Sequence, residues 1–247
     1  MRNLFRCLFF LLALIACVDS SNAQWIRTSG LEGRTVSCFA VIDSSLFAGT
    51  DGGVFLSTNN GTSWTSINAG LTNTNVSSLV VSTAGLFAGT RGGGVFLSTN
   101  IGGSWIAADS GLTDLDVRTL GWGKATLYAG TTTAGVFRSV NFGANWLQIG
   151  LSDKQVNVLV VSGLEVYIAA EGMGVYHNSN RGGGVWTLSN SSLTNSQVAS
   201  LILVGTNLFA GTASAGVWKR PLSEFATAID KSSISTYNNY SLGQCHP

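Results

Sequence analysis

Short apolar segments alternate with runs of glycine, asparagine, serine and threonine along most of this 247-residue chain. In one stretch the apolar segments cover 76–82, 86–90, 95–99 and 105–108, and none is longer than seven residues. Segments this short, joined by turn-forming residues, are typical of antiparallel β-hairpins and not of helices. The pattern therefore predicts an all-β chain built from short strands.

The same pattern recurs with a period of about 40 residues, and the fourth segment of each unit begins with a tryptophan. The first segment of each unit follows V-x-x-[LF], the second is rich in alanine and glycine, and the third has an aromatic residue after a valine. A fixed period indicates units that bury their apolar faces only against neighbouring units. We predict that the third-segment aromatics and the repeat tryptophans fill the spaces between adjacent sheets. These tryptophans are Trp25, Trp64, Trp105, Trp146 and Trp186.

The two ends of the repeat region are incomplete in complementary ways. The fifth unit reaches Trp218 and Pro221 without the turn and tryptophan that precede a fourth segment, whereas Trp25 opens a fourth segment with no preceding three. We therefore predict a five-bladed β-propeller over 24–221, with four-stranded antiparallel blades and the N-terminal strand completing the last blade. Closing the ring in this way would remove the edges that an open array exposes.

Charge adds little to this picture, because only 10% of the residues are charged and the formal net charge is +1. Without residues 1–23, which include Arg2, Arg6 and Asp19, the chain has 11 basic and 11 acidic side chains. A neutral surface argues against nucleic acid or an anionic membrane as the main partner.

The N-terminus predicts export. Arg2 and Arg6 precede an apolar run over 7–17, and small residues end at Ala23, which is typical of a secretory signal peptide over 1–23. The run is too short to span a bilayer. As an alternative, 14–17 resembles a bacterial lipobox, in which Cys17 would be lipidated. Either route predicts a periplasmic, surface or extracellular protein.

Cys38 and Cys245 are the cysteines outside the signal region. A disulfide between them is possible in an exported protein. The alternative is that Cys38 is simply a small strand residue, because it aligns with Ser78, Thr119, Val158 and Ser200 of the other units.

A turn with a recurring sequence lies between the third and fourth segments of the units. It resembles the Asp-box, or BNR, repeat S-x-[DN]-x-G-x-[ST]-W. Asparagine is expected to bond backbone groups two residues further on, glycine to supply a positive φ, and tryptophan to anchor the turn to the sheet. The fourth copy has one extra residue and lacks the serine. The motif residues are Ser57, Asn59, Gly61 and Trp64; Ser98, Asn100, Gly102 and Trp105; Ser139, Asn141, Gly143 and Trp146; and Asn180, Gly182 and Trp186.

Families with this box include sialidases, sortilin-type receptors, xyloglucan-degrading enzymes and the photosystem II assembly-factor group. In them the box is a structural turn away from the active face, so the resemblance implies a propeller and not a catalytic activity. The polar segment 222–247 is predicted to be a disordered tail. Its end, 239–247, resembles the opening of a type IX secretion sorting domain that departs from the pattern at Gly243 and Cys245 and then stops.

Candidate chemistry is sparse. No arginine of the chain lies in a recognisable sialidase context, and a glycoside hydrolase needs two carboxylates across the scissile bond. Asp51, Asp114, Asp116, Asp153 and Glu171 could share one face, although each is also a typical solvated turn residue. His177 and His246 have no metal-ligand spacing around them, so no metal or cofactor is expected. His177 is predicted to lie on a partly exposed strand face.

Polar loops that vary between units on a constant frame are where function usually lies, although neutral surface drift would give the same variation. In a propeller, the loops joining second to third strands and those joining consecutive blades emerge together. We therefore predict an exported, non-catalytic and monomeric module that binds a protein or glycan at this face. The alternatives are a glycoside hydrolase or sialidase relative and an assembly factor like that of photosystem II. The predicted face comprises Glu32, Arg34, Asp51, Asn73, Asn75, Arg91, Asp114, Asp116, Asp153, Lys154, Glu171, Asn195 and Gln197.

Overall fold

The computed structural model describes residues 24–225, which form five antiparallel sheets, here called blades 1 to 5. Blades 1 to 4 have four strands each and blade 5 has three. Blade 1 contains β1 (Val36–Ile42), β2 (Ser45–Thr50), β3 (Gly53–Ser57) and β4 (Thr65–Ser66). Blade 2 contains β5 (Val76–Ser82), β6 (Gly85–Thr90), β7 (Gly94–Ser98) and β8 (Ile106–Ala107).

Blades 3 to 5 repeat this meander. Blade 3 contains β9 (Val117–Gly123), β10 (Thr126–Thr131), β11 (Val136–Ser139) and β12 (Leu147–Gly150). Blade 4 contains β13 (Val156–Ser162), β14 (Glu165–Ala170), β15 (Gly174–Asn178) and β16 (Thr187–Leu188). Blade 5 contains β17 (Val198–Val204), β18 (Asn207–Thr212) and β19 (Gly216–Pro221). The predicted all-β repeat of about 40 residues is confirmed.

Consecutive blades pack against each other through their first two strands: β1 on β5, β5 on β9, β9 on β13 and β13 on β17. The small second-strand residues allow this close approach. A Cβ atom on Gly89 would lie 2.8 Å from the Val117 side chain, and one on Gly130 would lie 2.5 Å from the Val156 side chain. A larger residue at either position would force the blades apart.

Three repeat tryptophans, Trp105, Trp146 and Trp186, also tie their blades to the one before. The indole Nε1 of Trp105 donates to the carbonyl of Ile67 at 2.7 Å, and that of Trp146 donates to Ala108 at 2.7 Å. Trp186 makes the same bond to Ile149 at 2.9 Å. Trp105 and Trp146 are buried, and their rings fill the space between sheets as predicted.

The tryptophan is presented by a turn whose side-chain hydrogen bonds are the same in the first three copies. In blade 2, Ser98 Oγ accepts a hydrogen bond from Gly102 N at 2.8 Å, and Asn100 Oδ1 accepts one from Ser104 N at 2.9 Å. The asparagine thus bonds four residues ahead, not two as predicted. Ile101 and Gly102 both have positive φ, +58° and +83°. The glycine therefore satisfies the second of two left-handed positions.

The fourth copy keeps this geometry although it lacks the serine. Asn178 stands in its place, and its Oδ1 accepts hydrogen bonds from Asn180 N at 2.9 Å and Gly182 N at 2.8 Å. Its Nδ2 donates to the carbonyls of Gly183 and Val185 at 3.1 and 2.9 Å. The longer amide side chain also holds the extra residue of this copy.

The N-terminal strand does not complete the last blade, which corrects the predicted closure. Blade 5 has three strands, and the Trp25 side chain is fully exposed, at 104%. Residues 28–29 lie against blade 1 instead: Trp64 Nε1 donates to Thr28 Oγ1 at 3.3 Å, and Ser29 forms a bridge with Ser63. Within residues 24–225, β17 and β1 form no contact comparable to those between consecutive blades. Within residues 24–225, the five blades therefore form an arc that no fourth strand of blade 5 closes.

The packed region continues past the predicted boundary at Pro221. A 3-10 turn over Leu222–Glu224 brings Phe225 into the core, where its ring lies edge-on to Tyr167 at a centroid distance of 4.9 Å. Phe225 and Tyr167 also cover His177, which is 4% exposed and bonded to the Glu165 carboxylate. The prediction of a partly exposed histidine is therefore wrong.

Cys38 is buried against Gly49, and burial raises the pKa of its thiol to about 12. This position fits a small strand residue. The predicted signal peptide with Cys17, the tail from residue 226 onward, Cys245 and His246 lie outside the described residues. Over 24–225, no helix is both long and apolar enough to cross a membrane.

We predict that Trp105→Phe lowers the free energy of unfolding by about 1–3 kcal/mol, because it leaves the half-buried Ile67 carbonyl without its donor. Urea denaturation measures this. Trp64→Phe is the matched control, since its indole bonds an exposed hydroxyl at 3.3 Å, and it should cost less than about 1 kcal/mol. Equal losses in the two variants would contradict the role given to the indole bond.

Candidate functional site

The loops between second and third strands and the linkers between blades meet along one edge of all five blades, as predicted. In every blade, the first residue after the second strand donates its backbone N–H to the residue just before the first strand. Examples are Arg91 to Asn75 at 2.9 Å and Glu171 to Gln155 at 2.9 Å. These hydrogen bonds hold the loop between the second and third strands against the linker between blades. We call this combined surface the rim.

A β-bulge lies at the rim in every blade. The register of the first and second strands shifts after the first residue of the first strand, which leaves one extra residue unpaired. Such bulges re-aim the side chain of the extra residue. The bulge residues are Ser37, Ser77, Arg118, Asn157 and Ala199.

Arg118 is at the centre of a row of charged side chains that crosses blades 2 to 4. Arg91 forms an ion pair with Asp116 at 3.7 Å. Burial lowers the pKa of Arg118, the Arg91 charge lowers it further, and Asp116 and Glu171 act in the opposite direction. An arginine remains protonated near neutral pH despite such shifts. Arg118 is therefore a half-buried cation that feels one like charge and two opposite charges.

The row ends at two amide-rich groups. In blade 4, the Glu171 carboxylate accepts hydrogen bonds from Gln155 Nε2 at 3.2 Å and from Asn157 Nδ2. In blade 2, Asn73 Nδ2 donates to the Arg91 carbonyl at 3.0 Å, and Asn73 Oδ1 accepts from Asn75 N at 2.9 Å. The row therefore alternates donors, acceptors and charges over three blades.

Asp114 holds the rim together in blade 3. Its carboxylate accepts hydrogen bonds from Thr133 N at 2.6 Å, Thr133 Oγ1 at 2.8 Å and Asp116 N at 2.9 Å. Burial raises the pKa of this carboxyl, but the hydrogen bonds outweigh burial and the net pKa is lowered. A carboxyl group with a lowered pKa is a poor general acid at neutral pH.

The remaining predicted residues lie on the rim outside this row. Arg34 and Asp51 face each other at 4.0 Å in blade 1. Glu32 accepts from Gly30 N, and its own backbone N–H and that of Gly30 lower its pKa. Asn195 Nδ2 donates to Ser214 at 3.1 Å and its Oδ1 accepts from Gln197 N at 2.8 Å, whereas Asp153 and Lys154 lie in the linker before blade 4.

The sequence analysis missed Arg118 and Asn157. Both follow the first-strand valine, in a position of the V-x-x-[LF] pattern that was treated as variable. The signal that could have found them is the change from Ser77 in blade 2 to a long charged residue in blade 3. Over the described part of the chain, no three histidine, cysteine, aspartate or glutamate residues are grouped closely enough to hold a metal ion.

Comparison with solved structures shows the fold of this chain. YCF48 from Cyanidioschyzon merolae superposes with a TM-score of 0.55 and 13% identity, covering 81% of this chain and 73% of YCF48. PorZ, an essential bacterial surface component of the type IX secretion system of Porphyromonas gingivalis, superposes with a TM-score of 0.61 and 15% identity, covering 82% of this chain and 34% of PorZ. An ancestral GH74 enzyme superposes with a TM-score of 0.61 and 20% identity, covering 74% of this chain and 30% of the enzyme.

These neighbours are β-propellers, so the chain has a propeller-type fold. It spans only about a third of the PorZ and GH74 structures. No family model matches the chain, and no curated protein matches it either.

We predict that Asp114→Asn destabilises the protein in a pH-dependent way. A lowered folded-state pKa adds stability above the unfolded value near 4, and this stability is lost as pH falls through the folded value. The stability gap between the protein and the variant should therefore shrink as pH falls from about 5 to about 2. Urea denaturation over this pH range measures the gap.

Asn195 is a matched control, because its amide makes the equivalent contacts to Ser214 and Gln197 and does not titrate. Asn195→Ala should give a gap that does not change with pH. A constant gap for Asp114→Asn as well would contradict the assignment.

Proposed function

We propose that this protein is an exported, non-catalytic propeller-type module that binds a polypeptide or a glycan at the rim. The observation that carries the proposal is Arg118, whose guanidinium is half-buried and whose Nε has no hydrogen-bond partner among the described residues. A buried donor left unpaired costs about 1–3 kcal/mol, and a ligand acceptor would recover that cost. A carboxylate is the preferred acceptor for a guanidinium.

The length of the row supports an extended ligand. Charged and amide groups continue from Asn73 in blade 2 through Arg118 to Asn157 in blade 4, and the backbone hydrogen bonds of the rim hold them in place. Preorganised polar groups of this kind bind with a smaller loss of conformational entropy. A peptide segment or a polysaccharide chain that carries an acidic group fits this arrangement.

The solved neighbours are consistent with this class of function. One YCF48 structure, with a TM-score of 0.53 to this chain, has a bound D1 peptide. PorZ is a surface component of a secretion system. These properties belong to those proteins, and they support peptide binding and a surface location here only by analogy of fold. An assembly factor is one form that such a binding module could take.

A glycoside hydrolase is the second candidate function, because GH74 enzymes are among the neighbours. Hydrolysis needs a carboxyl group with a raised pKa as the acid and a second carboxylate across the bond. Asp114 does not suit the acid role, since its pKa is lowered and its oxygens are hydrogen bonded to the rim. Asp116 and Glu171, whose charges both act on Arg118, are the pair that this candidate would use.

We predict that Arg118→Gln weakens binding at the rim by about tenfold or more, because it removes the central charge of the row. The probes are arrays of short acidic peptides and of polysaccharides, followed by titration of any ligand that binds. Arg138→Gln is the matched control, because this arginine bonds the Arg181 carbonyl away from the rim. Unchanged affinity in Arg118→Gln would contradict the proposal.

Hydrolysis assays separate the two candidates. The purified protein is incubated with fluorogenic sialosides and with xyloglucan. The binding-module proposal expects no turnover. Turnover that is lost in both Asp116→Asn and Glu171→Gln would favour the hydrolase.

A further inference from the structure

A cavity of about 280 Å³ lies between blades 4 and 5. Its wall combines apolar residues with polar ones, which include Ser189 and Arg220. The apolar residues of the wall are Val175, Leu193, Leu208, Ala210, Trp218, Pro221 and Phe225.

The equivalent space between earlier blades holds a repeat tryptophan. Between blades 1 and 2, Trp105 packs in a cluster of residues that align one by one with the cavity wall. Trp146 does the same between blades 2 and 3. The cavity thus corresponds to a tryptophan site that has no tryptophan in the fifth repeat, and Phe225 from beyond the repeat lines it. The residues around Trp105 are Val54, Leu71, Leu86, Ala88 and Phe96.

The acceptor for the missing indole is also present. The carbonyl of Ser189 stands where those of Ile67, Ala108 and Ile149 accept the indole N–H in earlier blades. Here Arg220 Nη1 donates to it instead, at 3.1 Å. The Arg220 guanidinium also lies 4.3 Å above the Phe225 ring. Arginine therefore satisfies a carbonyl that belongs to a tryptophan site, while β19 has no fourth strand beside it within residues 24–225.

The segment 25–28 aligns with the fourth strands of the other repeats, but among the described residues it pairs with no third strand. Trp25 and Ile26 are 104% and 87% exposed. The Thr28 hydroxyl accepts the indole bond of Trp64 at the repeat position where the Ile67 carbonyl accepts that of Trp105. Gly30 approaches the Trp64 backbone as Gly111 approaches that of Trp146. The segment therefore contacts blade 1 as an internal fourth strand contacts the next blade. Within residues 24–225, it is not paired with a third strand.

We propose that the segment 25–28 of one copy of this chain docks on β19 of a second copy, with Trp25 filling the cavity between blades 4 and 5. Blade 1 of the first copy then packs on blade 5 of the second. The contact is head-to-tail, and it continues the interface that already joins consecutive blades within the chain.

The exposed apolar side chains of blades 1 and 5 support a second copy of this chain as the partner. Val217 on β19 is 72% exposed, whereas its equivalents Val95 and Val136 are fully buried. Phe39 on β1 is 54% exposed, whereas its equivalent Leu79 is 6% exposed. Over the described range 24–225, each end blade lacks the neighbour that covers these positions in the interior. One head-to-tail contact supplies both neighbours at once.

One position limits the strength of the contact. Ser192 stands where Gly70 and Gly111 let the tryptophan backbone approach, and a Cβ on Gly111 would lie 2.6 Å from the Trp146 carbonyl oxygen. The serine Cβ therefore keeps the docked strand slightly further out than an internal one. The contact is accordingly reversible, and Ser192→Gly should strengthen it severalfold.

Crosslinking between two different variants tests the proposal directly. Internal blades pair Leu56 with Thr65, so the docked strand places Ile26 opposite Lys219. The Ile26→Cys protein is mixed with the Lys219→Cys protein under mild oxidation. The expected result is a disulfide between the two kinds of chain, which closure within one chain cannot give.

Ile106→Cys is the matched control donor, because Ile106 has the same place in its repeat but its strand is already paired with β7. It should not crosslink to Lys219→Cys. Two results would overturn the proposal: no crosslink from Ile26→Cys, or a crosslink that forms only within single chains carrying both cysteines. The latter would assign the cavity to the chain's own Trp25.

Sedimentation over a wide range of concentration gives the second readout. The purified chain should associate reversibly, Trp25→Ala should weaken association by about tenfold or more, and Ser192→Gly should strengthen it. Association that is unchanged in both variants would overturn the role given to Trp25. Trp25 is far from the Arg118 row, so ligand binding at the rim is measured independently of this result.

Discussion

No blade of this fold buries its apolar faces alone. The hydrogen bonds from the indole groups to the preceding blade are one part of this constraint. Trp105, Trp146 and Trp186 occupy the space between two sheets and bond the carbonyl at the end of the previous fourth strand. The second-strand residues are small because a valine of the next blade packs directly against them. Burial between blades supplies most of the driving force for folding in such an array.

The same constraint explains the two ends of the arc. An interior blade has two neighbours, whereas blades 1 and 5 have one each among the described residues. Their outer faces therefore expose Phe39 and Val217 at positions that are buried elsewhere. The loops at the rim are less constrained, because the repeated backbone hydrogen bonds hold them whatever their side chains are. This freedom allows Arg118 and Asn157 to differ from Ser77 without any change in the frame.

The local elements could be predicted from the sequence because they depend on short-range patterns. The strands of blade 2, the turn residues around Ser98 and the buried role of Trp105 all follow from residues within one repeat or its neighbour. Closure could not be predicted in this way. Whether Trp25 reaches β19 depends on the curvature summed over five interfaces, and no residue of a single repeat encodes that sum.

The candidate site was predicted only in part for a similar reason. The polar loop residues were visible in the sequence, but their association was not. Arg91 meets Asp116 from the next blade. The charges of both, and that of Glu171, act on Arg118 because a bulge turns the second residue of the first strand toward the rim. His177 was misjudged because Phe225, which covers it, comes from beyond the repeat.

The central claim is that indole bonds between blades hold the arc together and that the arc is open at Trp25. Exchange of the indole Nε1 protons with solvent, followed by NMR on dilute protein, tests both parts in one measurement. The account predicts slow exchange for Trp105, Trp146 and Trp186, and fast exchange for Trp25. Protection of Trp25 equal to that of Trp105 in the monomer, or fast exchange of all four, would contradict it.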